Sequence, residues 1–128
     1  MTAIFFGLLI GLEIKHFIAD YLMQPGWILG GKGDVTKLGG YVHAAIHGIF
    51  SVVILLIFGT PLWLVGTLFV IECVIHYVLD FAKIHYSRGV DIEKDAGRYW
   101  ALHGLDQLFH HLTYAAMIYA VLRVEGLA

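Results

Sequence analysis

FGTPLW, Phe58 to Trp63, is the stretch on which the fold turns. Apolar residues continue on both sides of it, so it is either a kink inside one long helix or the turn between two. Gly59 and Thr60 stop a helix, and Pro61 suits the first turn of the next, where its missing N–H forfeits no hydrogen bond. A single Pro-kinked span from Gly48 to Ile71 would strand the apolar stretch CVIHYVLDFAKIHY, Cys73 to Tyr86, beyond its end. The hairpin is therefore the reading adopted, and it gives four helices rather than three.

Outward from that turn, apolar runs near the ~20 residues needed to cross a bilayer at ~1.5 Å each lie at roughly 2–24, 40–58, 61–85 and 98–122. Hydrophobic residues make up 59% of the 128-residue chain and charged ones 14%. A soluble protein carries roughly 25% charged residues. The expectation is an all-α fold, a four-helix transmembrane bundle forming a single integral membrane domain over residues 1–128. The opening MTAIFFGLLIGLEIK lacks the basic start and small-residue cleavage site of a secretory signal and reads as a retained first span. Two segments, PGWILGGKGDVTKLGG and SRGVDIEKDAGR, read as loops. They collect Lys32, Lys37, Arg88, Lys94 and Arg98, with Lys83 nearby, so the positive-inside rule places both long loops in the cytoplasm and both termini outside. Tyr21, Trp27, Trp63, Tyr77, Tyr86, Tyr99 and Trp100 then serve as interfacial anchors. The lone Cys73 excludes an internal disulfide. A net charge of −2 with no basic run excludes nucleic acid as a partner and leaves membrane lipid.

Each helix carries polar residues at the spacing that keeps them on one face, because positions four apart differ by about 40°. The first has Glu13, His16, Asp20 and Gln24. The second has His43 and His47. The third has Glu72, His76, Asp80 and Lys83, and the fourth His103, Asp106, Gln107, His110 and Tyr114. These residues occur late in helices 1 and 3 and early in helices 2 and 4, so at ~1.5 Å per residue they share a layer roughly 4 to 18 Å from the cytoplasmic ends. An ionisable residue at the bilayer centre costs about 2.5 to 3.5 kcal/mol on insertion scales. A divalent cation offsets that cost, since imidazole nitrogen and carboxylate oxygen suit zinc, iron or manganese.

The expected ligands are His16, Asp20, His43, His47, His76, Asp80, Asp106 and His110, holding one or two ions, with zinc favoured over iron or manganese. Gln24, His103 and Gln107 are expected to hydrogen-bond those ligands. Glu72 is the candidate general base, and Lys83 the residue to face an anionic head group. Taken singly, His43, His85 and His111 are more readily interhelical hydrogen-bonding groups than ligands, and the whole set is open to a reading as a polar network that fixes register. Lys15 points about 200° away from Glu13 and so away from the stripe, which suggests a second protomer covering it in a homo-oligomer.

The motifs HFIADYLMQ, HAAIHG, HYVLDFAK and LDQLFHHLT closely resemble, in order and spacing, the domain-of-unknown-function family 3307 of small bacterial and phage membrane proteins. The resemblance spans nearly the whole chain. It implies a helical membrane protein with motif positions at His16, Asp20, Gln24, His43, His47, His76, Asp80, Lys83, Asp106, Gln107 and His110, and it implies no activity.

Three functions compete on these residues. The first is a metal-dependent membrane hydrolase acting on a lipid or lipid-linked substrate. A di-iron oxygen-using variant needs two Glu-x-x-His pairs, and only Glu13 with His16 has that spacing. The second is a divalent-metal or proton transporter or channel using the same His/Asp cluster. The third is a b-type haem protein, against which the many carboxylates weigh. They rank in that order.

Overall fold

The computed structural model describes residues 1–127, and among these the chain is all-α, with no strand. Helix α1, Thr2–Phe17, widens at its end into a single π-helical turn, Ile18–Leu22. A one-turn helix, α2, Gly26–Leu29, follows Pro25, inside a segment expected to be loop throughout. Pro25 explains both edges: it has no N–H to continue the helix before it, while its carbonyl accepts from the amides of Ile28 and Leu29 and so winds the next turn. Helix α3, Gly39–Ile57, and helix α4, Leu62–Tyr86, form the hairpin, and α5, Ala96–Val124, completes the set.

The hairpin forms as its residues dictate. Gly59 takes φ 76°, a left-handed conformation that closes a helix end at little cost for glycine. The Thr60 amide then bonds back to the Leu55 carbonyl at 3.0 Å, and Pro61 at φ −56° starts α4. With the turn that tight, α3 and α4 lie antiparallel and in contact; α4 packs on α5, and α1 on both α3 and α5.

Three helical stretches are long and apolar enough to cross a membrane: Thr2–Leu22, Gly39–Ile57 and Leu62–Tyr86. Helix α5 is the longest at 29 residues but falls outside that group. Its His103, Asp106, Gln107, His110 and His111 lower its hydropathy. The outward faces are apolar, with Phe6, Ile10, Ile14, Phe17, Val53, Val74, Val78 and Leu112 exposed, whereas His43, His47, Glu72, His76 and His110 are at most 2% exposed. The interior is divided along its length. Leu8, Leu12, Leu55, Leu64, Val65, Leu68, Met117, Ile118 and Val121 fill the hairpin end as an apolar core, and Tyr114 marks its border with the polar layer.

The segment after α2 folds back over the polar end. It does so through a glycine contact: a Cβ on Gly31 would lie 2.7 Å from the Gly39 Cα, an approach only glycine allows. Asp34 accepts hydrogen bonds from the Thr36 hydroxyl at 2.7 Å and amide at 3.0 Å, which hold its carboxyl below the usual carboxylate range and order the turn. Lys32 is thereby carried inward to Asp80.

Candidate metal centre

Two groups of donor atoms in this interior could hold a metal ion: Asp20, His43, His47 and His76, and His76, Asp80 and His110. Within each group the donors lie within 4.8 Å of one another, and His76 belongs to both. They come together because α3 buries positions 43 and 47 and α4 positions 72, 76 and 80, one turn apart. The π-helical turn supplies Asp20, whose Oδ1 lies 3.0 Å from His43 Nε2 and 3.1 Å from His47 Nε2. Metal–donor bonds of about 2.0–2.1 Å place tetrahedral neighbours about 3.4 Å apart, close to that spacing. Asp80 Oδ2 is 3.5 Å from His43 Nε2 and 3.6 Å from His76 Nε2, and Asp80 Oδ1 is 3.9 Å from His110 Nε2.

The surrounding hydrogen bonds fix which imidazole nitrogens are bare. His110 Nδ1 donates to the Asp106 carbonyl at 2.7 Å, leaving Nε2 with no hydrogen-bond partner among the described residues. Gln107 Nε2 donates to Asp106 Oδ2 at 3.2 Å, which turns its Oε1 toward His16. An amide oxygen only accepts, so His16 Nε2 carries the hydrogen, at 2.9 Å, and His16 Nδ1 accepts from the Tyr114 hydroxyl, also at 2.9 Å. His47 Nδ1 lies 3.4 Å from the Tyr114 hydroxyl and 3.5 Å from Lys15 Nζ, while its Nε2 lies 3.1 Å from Asp20 Oδ1. His110 shows the pattern in which a ligand histidine gives its other N–H to a neighbouring acceptor.

His76 is the exception. It is 2% exposed, and among the described residues neither of its ring nitrogens has a hydrogen-bond partner. Its ring centroid lies 3.8 Å from that of His47 and 4.2 Å from that of His110. Stacking that close leaves no slot for a porphyrin between these imidazoles.

Several expected residues sit elsewhere. His16 belongs to neither donor group; its Nε2 lies 2.9 Å from Gln107 Oε1 and 3.3 Å from Asp20 Oδ2, and its Nδ1 2.9 Å from the Tyr114 hydroxyl. Asp106 also stands outside both; its carboxylate pairs with Lys83 Nζ at 3.1 Å, and its carbonyl holds His110. Glu72 is ion-paired through Oε1 with Lys15 one turn beyond His76, and its Oε2 is buried without a hydrogen-bond partner among the described residues. Lys15 itself is corrected. It is 4% exposed, donates to Glu72 and to the His47 carbonyl at 3.3 Å, and lies 4.3 Å over the Tyr114 ring. The chain covers this residue by itself, on the inward side of α1 rather than away from the polar stripe. The inward face of α1 is Leu8, Leu12, Lys15 and Ala19, a spacing of four, three and four that was present in the sequence. Glu13 lies at its edge and pairs with His111 at 2.9 Å.

A cavity of about 200 Å³ reaches this layer from the polar end. Its walls include Asp20, Asp80 and Asp106, with Gln24, His103 and Gln107 beside them, and Lys32 and Lys83 at the rim. Gln24 donates to both the carbonyl and the carboxylate of Asp20. Lys32 Nζ lies 2.8 Å from Asp80 Oδ2, a partner no periodicity announced.

The chain belongs to the DUF3307 family. The model of that family, described as a protein of unknown function, matches residues 5–127. No curated protein and no solved structure matches it. In this DUF3307 chain the quoted motifs are the ones that supply the two donor groups: Asp20 from the first, His43 and His47 from the second, His76 and Asp80 from the third and His110 from the fourth.

Proposed function

We propose that this protein is a four-helix membrane bundle holding one or two divalent transition-metal ions, with zinc favoured over iron or manganese, and that it hydrolyses a lipid or lipid-linked ester or phosphoester. The observation that carries the metal is His76. Hydrogen bonding to Asp20 engages Nε2 of His43 and of His47 without an ion and leaves only His43 Nδ1 of that pair without a partner among the described residues, but a buried imidazole with both nitrogens unspent forfeits about 1–3 kcal/mol per desolvated polar group. A shared cation relieves that cost and neutralises Asp20 and Asp80. The ligands in this reading are Asp20, His43, His47, His76, Asp80 and His110, with His16, Gln107, Tyr114 and Asp106 orienting them.

A divalent ion in such a site activates bound water and polarises the oxygen of the bond to be cleaved. Asp20 and Asp80 line the cavity and are placed to receive a proton, while Lys83 at the rim faces an anionic head group. The inverted distribution, apolar outside and ionisable inside, supports the membrane setting. α5 is the fourth span because its polar residues face inward, and the basic loops face the cytoplasm of a bacterial inner membrane. Hydrolysis ranks ahead of transport because the interior beyond Tyr114 is filled mainly by an apolar core, in which buried Ser51 and Thr60 bring hydroxyls but no ionisable group among the described residues.

Elemental analysis of protein purified without chelator tests the centre. One or two equivalents of metal are expected in the parent and in His111→Ala, whose ring pairs with Glu13, and loss of metal in His76→Ala and Asp80→Ala. A folded parent free of metal overturns the proposal.

A further inference from the structure

The polar cavity does not end at its carboxylates. It shares Lys83 and Asp106 with a second cavity of about 230 Å³ between α4 and α5. That one shares Leu79 and Phe109 with a third, apolar groove of about 450 Å³, which continues along the same two helices past Leu112 and Ala116 to Leu68. From Lys83 to Leu68 the track runs fifteen residues of α4, or roughly 22 Å at ~1.5 Å per residue. Two other apolar grooves, between α1 and α3 and between α3 and α4, share no wall residue with the polar cavity. The α4/α5 track alone among these shares wall residues with the charged pocket, and the Lys83–Asp106 pair, at 3.1 Å, stands between the two.

Charge decides what the pocket accepts. Lys32 and Lys83 face Asp20, Asp80 and Asp106, which with neutral histidines leaves one net negative charge. A divalent ion at the adjoining donors reverses the sign. It also competes with Lys32 for Asp80, freeing an ammonium group at the rim. An anion therefore binds better once metal is present, and by linkage strengthens metal binding in return.

We propose that these adjoining cavities together bind one anionic lipid, with its phosphate-bearing head between Lys32 and Lys83 and a hydrocarbon chain lying along Leu79, Phe109, Leu112 and Ala116. The proposal rests on the membrane metal centre above and narrows its substrate class to phosphate-bearing lipids. Length, an apolar lining and a basic rim at one end together match an amphiphile of this kind.

Photo-crosslinking with zinc-loaded protein in phosphatidylcholine vesicles tests it, using phosphatidic acid or phosphatidylcholine that carries a diazirine in one acyl chain. Zinc content is measured on the same sample, so loss of the centre and loss of the lipid site are read separately. The expected result is labelling confined to the α4/α5 groove, favouring the phosphatidic acid probe about tenfold, the effect of one to two lysines at roughly 1 kcal/mol each. Ala116 is exposed and outside the core, so Ala116→Trp is expected to block the groove and abolish this labelling with zinc content unchanged. Lys83→Gln is expected to remove the preference for the anionic probe. Equal labelling by both probes, labelling spread over all the grooves, indifference to Ala116→Trp, or cross-linking of this groove to a second copy of the chain would each overturn the lipid site.

Discussion

Lys15 and Glu72 form an ion pair deep among apolar helices, with side chains 4% and 1% exposed. Such a pair is poor evidence of net stabilisation, yet removing one member leaves the other charge buried, at a cost of about 3–5 kcal/mol. Lys15→Met is therefore expected to destabilise by that amount, and the double variant Lys15→Met/Glu72→Met to recover most of it, as followed by denaturant titration in mixed micelles. Equal losses in the single and double variants would mean that Lys15 acts through His47 and Tyr114 instead. The pair also shows what was legible at this scale. Glu72, His76 and Asp80 were readable because their spacing of four repeats on one helix. Lys15 was not, because it lies about 200° from Glu13 around the helix, and the Leu8–Leu12–Lys15 spacing that buries it reads as ordinary apolar packing interrupted by a charge.

Two elements had no signature in the sequence. The π-helical turn at Ile18–Leu22 leaves apolar and polar residues in an order that an α-helix would also accept, yet it is this turn that presents Asp20 to His43 and His47. The segment after α2 was read as a loop from its glycines, but its path over the cavity depends on the Gly31–Gly39 contact and on the Lys32–Asp80 pair, which join residues far apart in any periodic count. The helices themselves were legible because α3 and α4 are apolar almost throughout and break at Gly59 and Pro61. The loop's role can be tested through its backbone. A Cβ at Gly39 would stand 2.6 Å from the Ile28 carbonyl oxygen and 2.9 Å from the Gly31 Cα, atoms that cannot yield as a flexible side chain does. Gly39→Ala is expected to cost about 1–3 kcal/mol by overpacking and to raise the reactivity of Lys32 toward amine-selective labels. Gly97→Ala, in open space within α5, serves as the control and is expected to be neutral or stabilising.

At the scale of the whole molecule, the interior has an apolar half that holds itself together and a polar half that does not. Leu8, Leu55, Leu68 and Val121 pack as apolar side chains with the Ser51 and Thr60 hydroxyls as isolated polar groups, whereas the polar layer gathers Asp20, Asp80 and the donor imidazoles of His43, His47, His76 and His110, which leave both nitrogens of His76, His43 Nδ1 and His110 Nε2 unspent among the described residues. If a cation completes that layer, its binding energy is part of the folding energy, because the unfolded chain has no assembled site. Stability should then rise with free zinc, by about 2.7 kcal/mol at a hundredfold excess over Kd. Unfolding at a series of zinc concentrations reads this directly, and His76→Ala or Asp80→Ala should abolish the dependence while leaving the apolar half folded. Acidification should shrink the increment as well, since protons compete with the metal for the same imidazole nitrogens and carboxylate oxygens. The sign is fixed by that competition: the gain is full where the ligands are deprotonated and lost as pH falls. Stability indifferent to zinc at every pH, in a chain that stays folded, would mean that the polar half is held by hydrogen bonds alone.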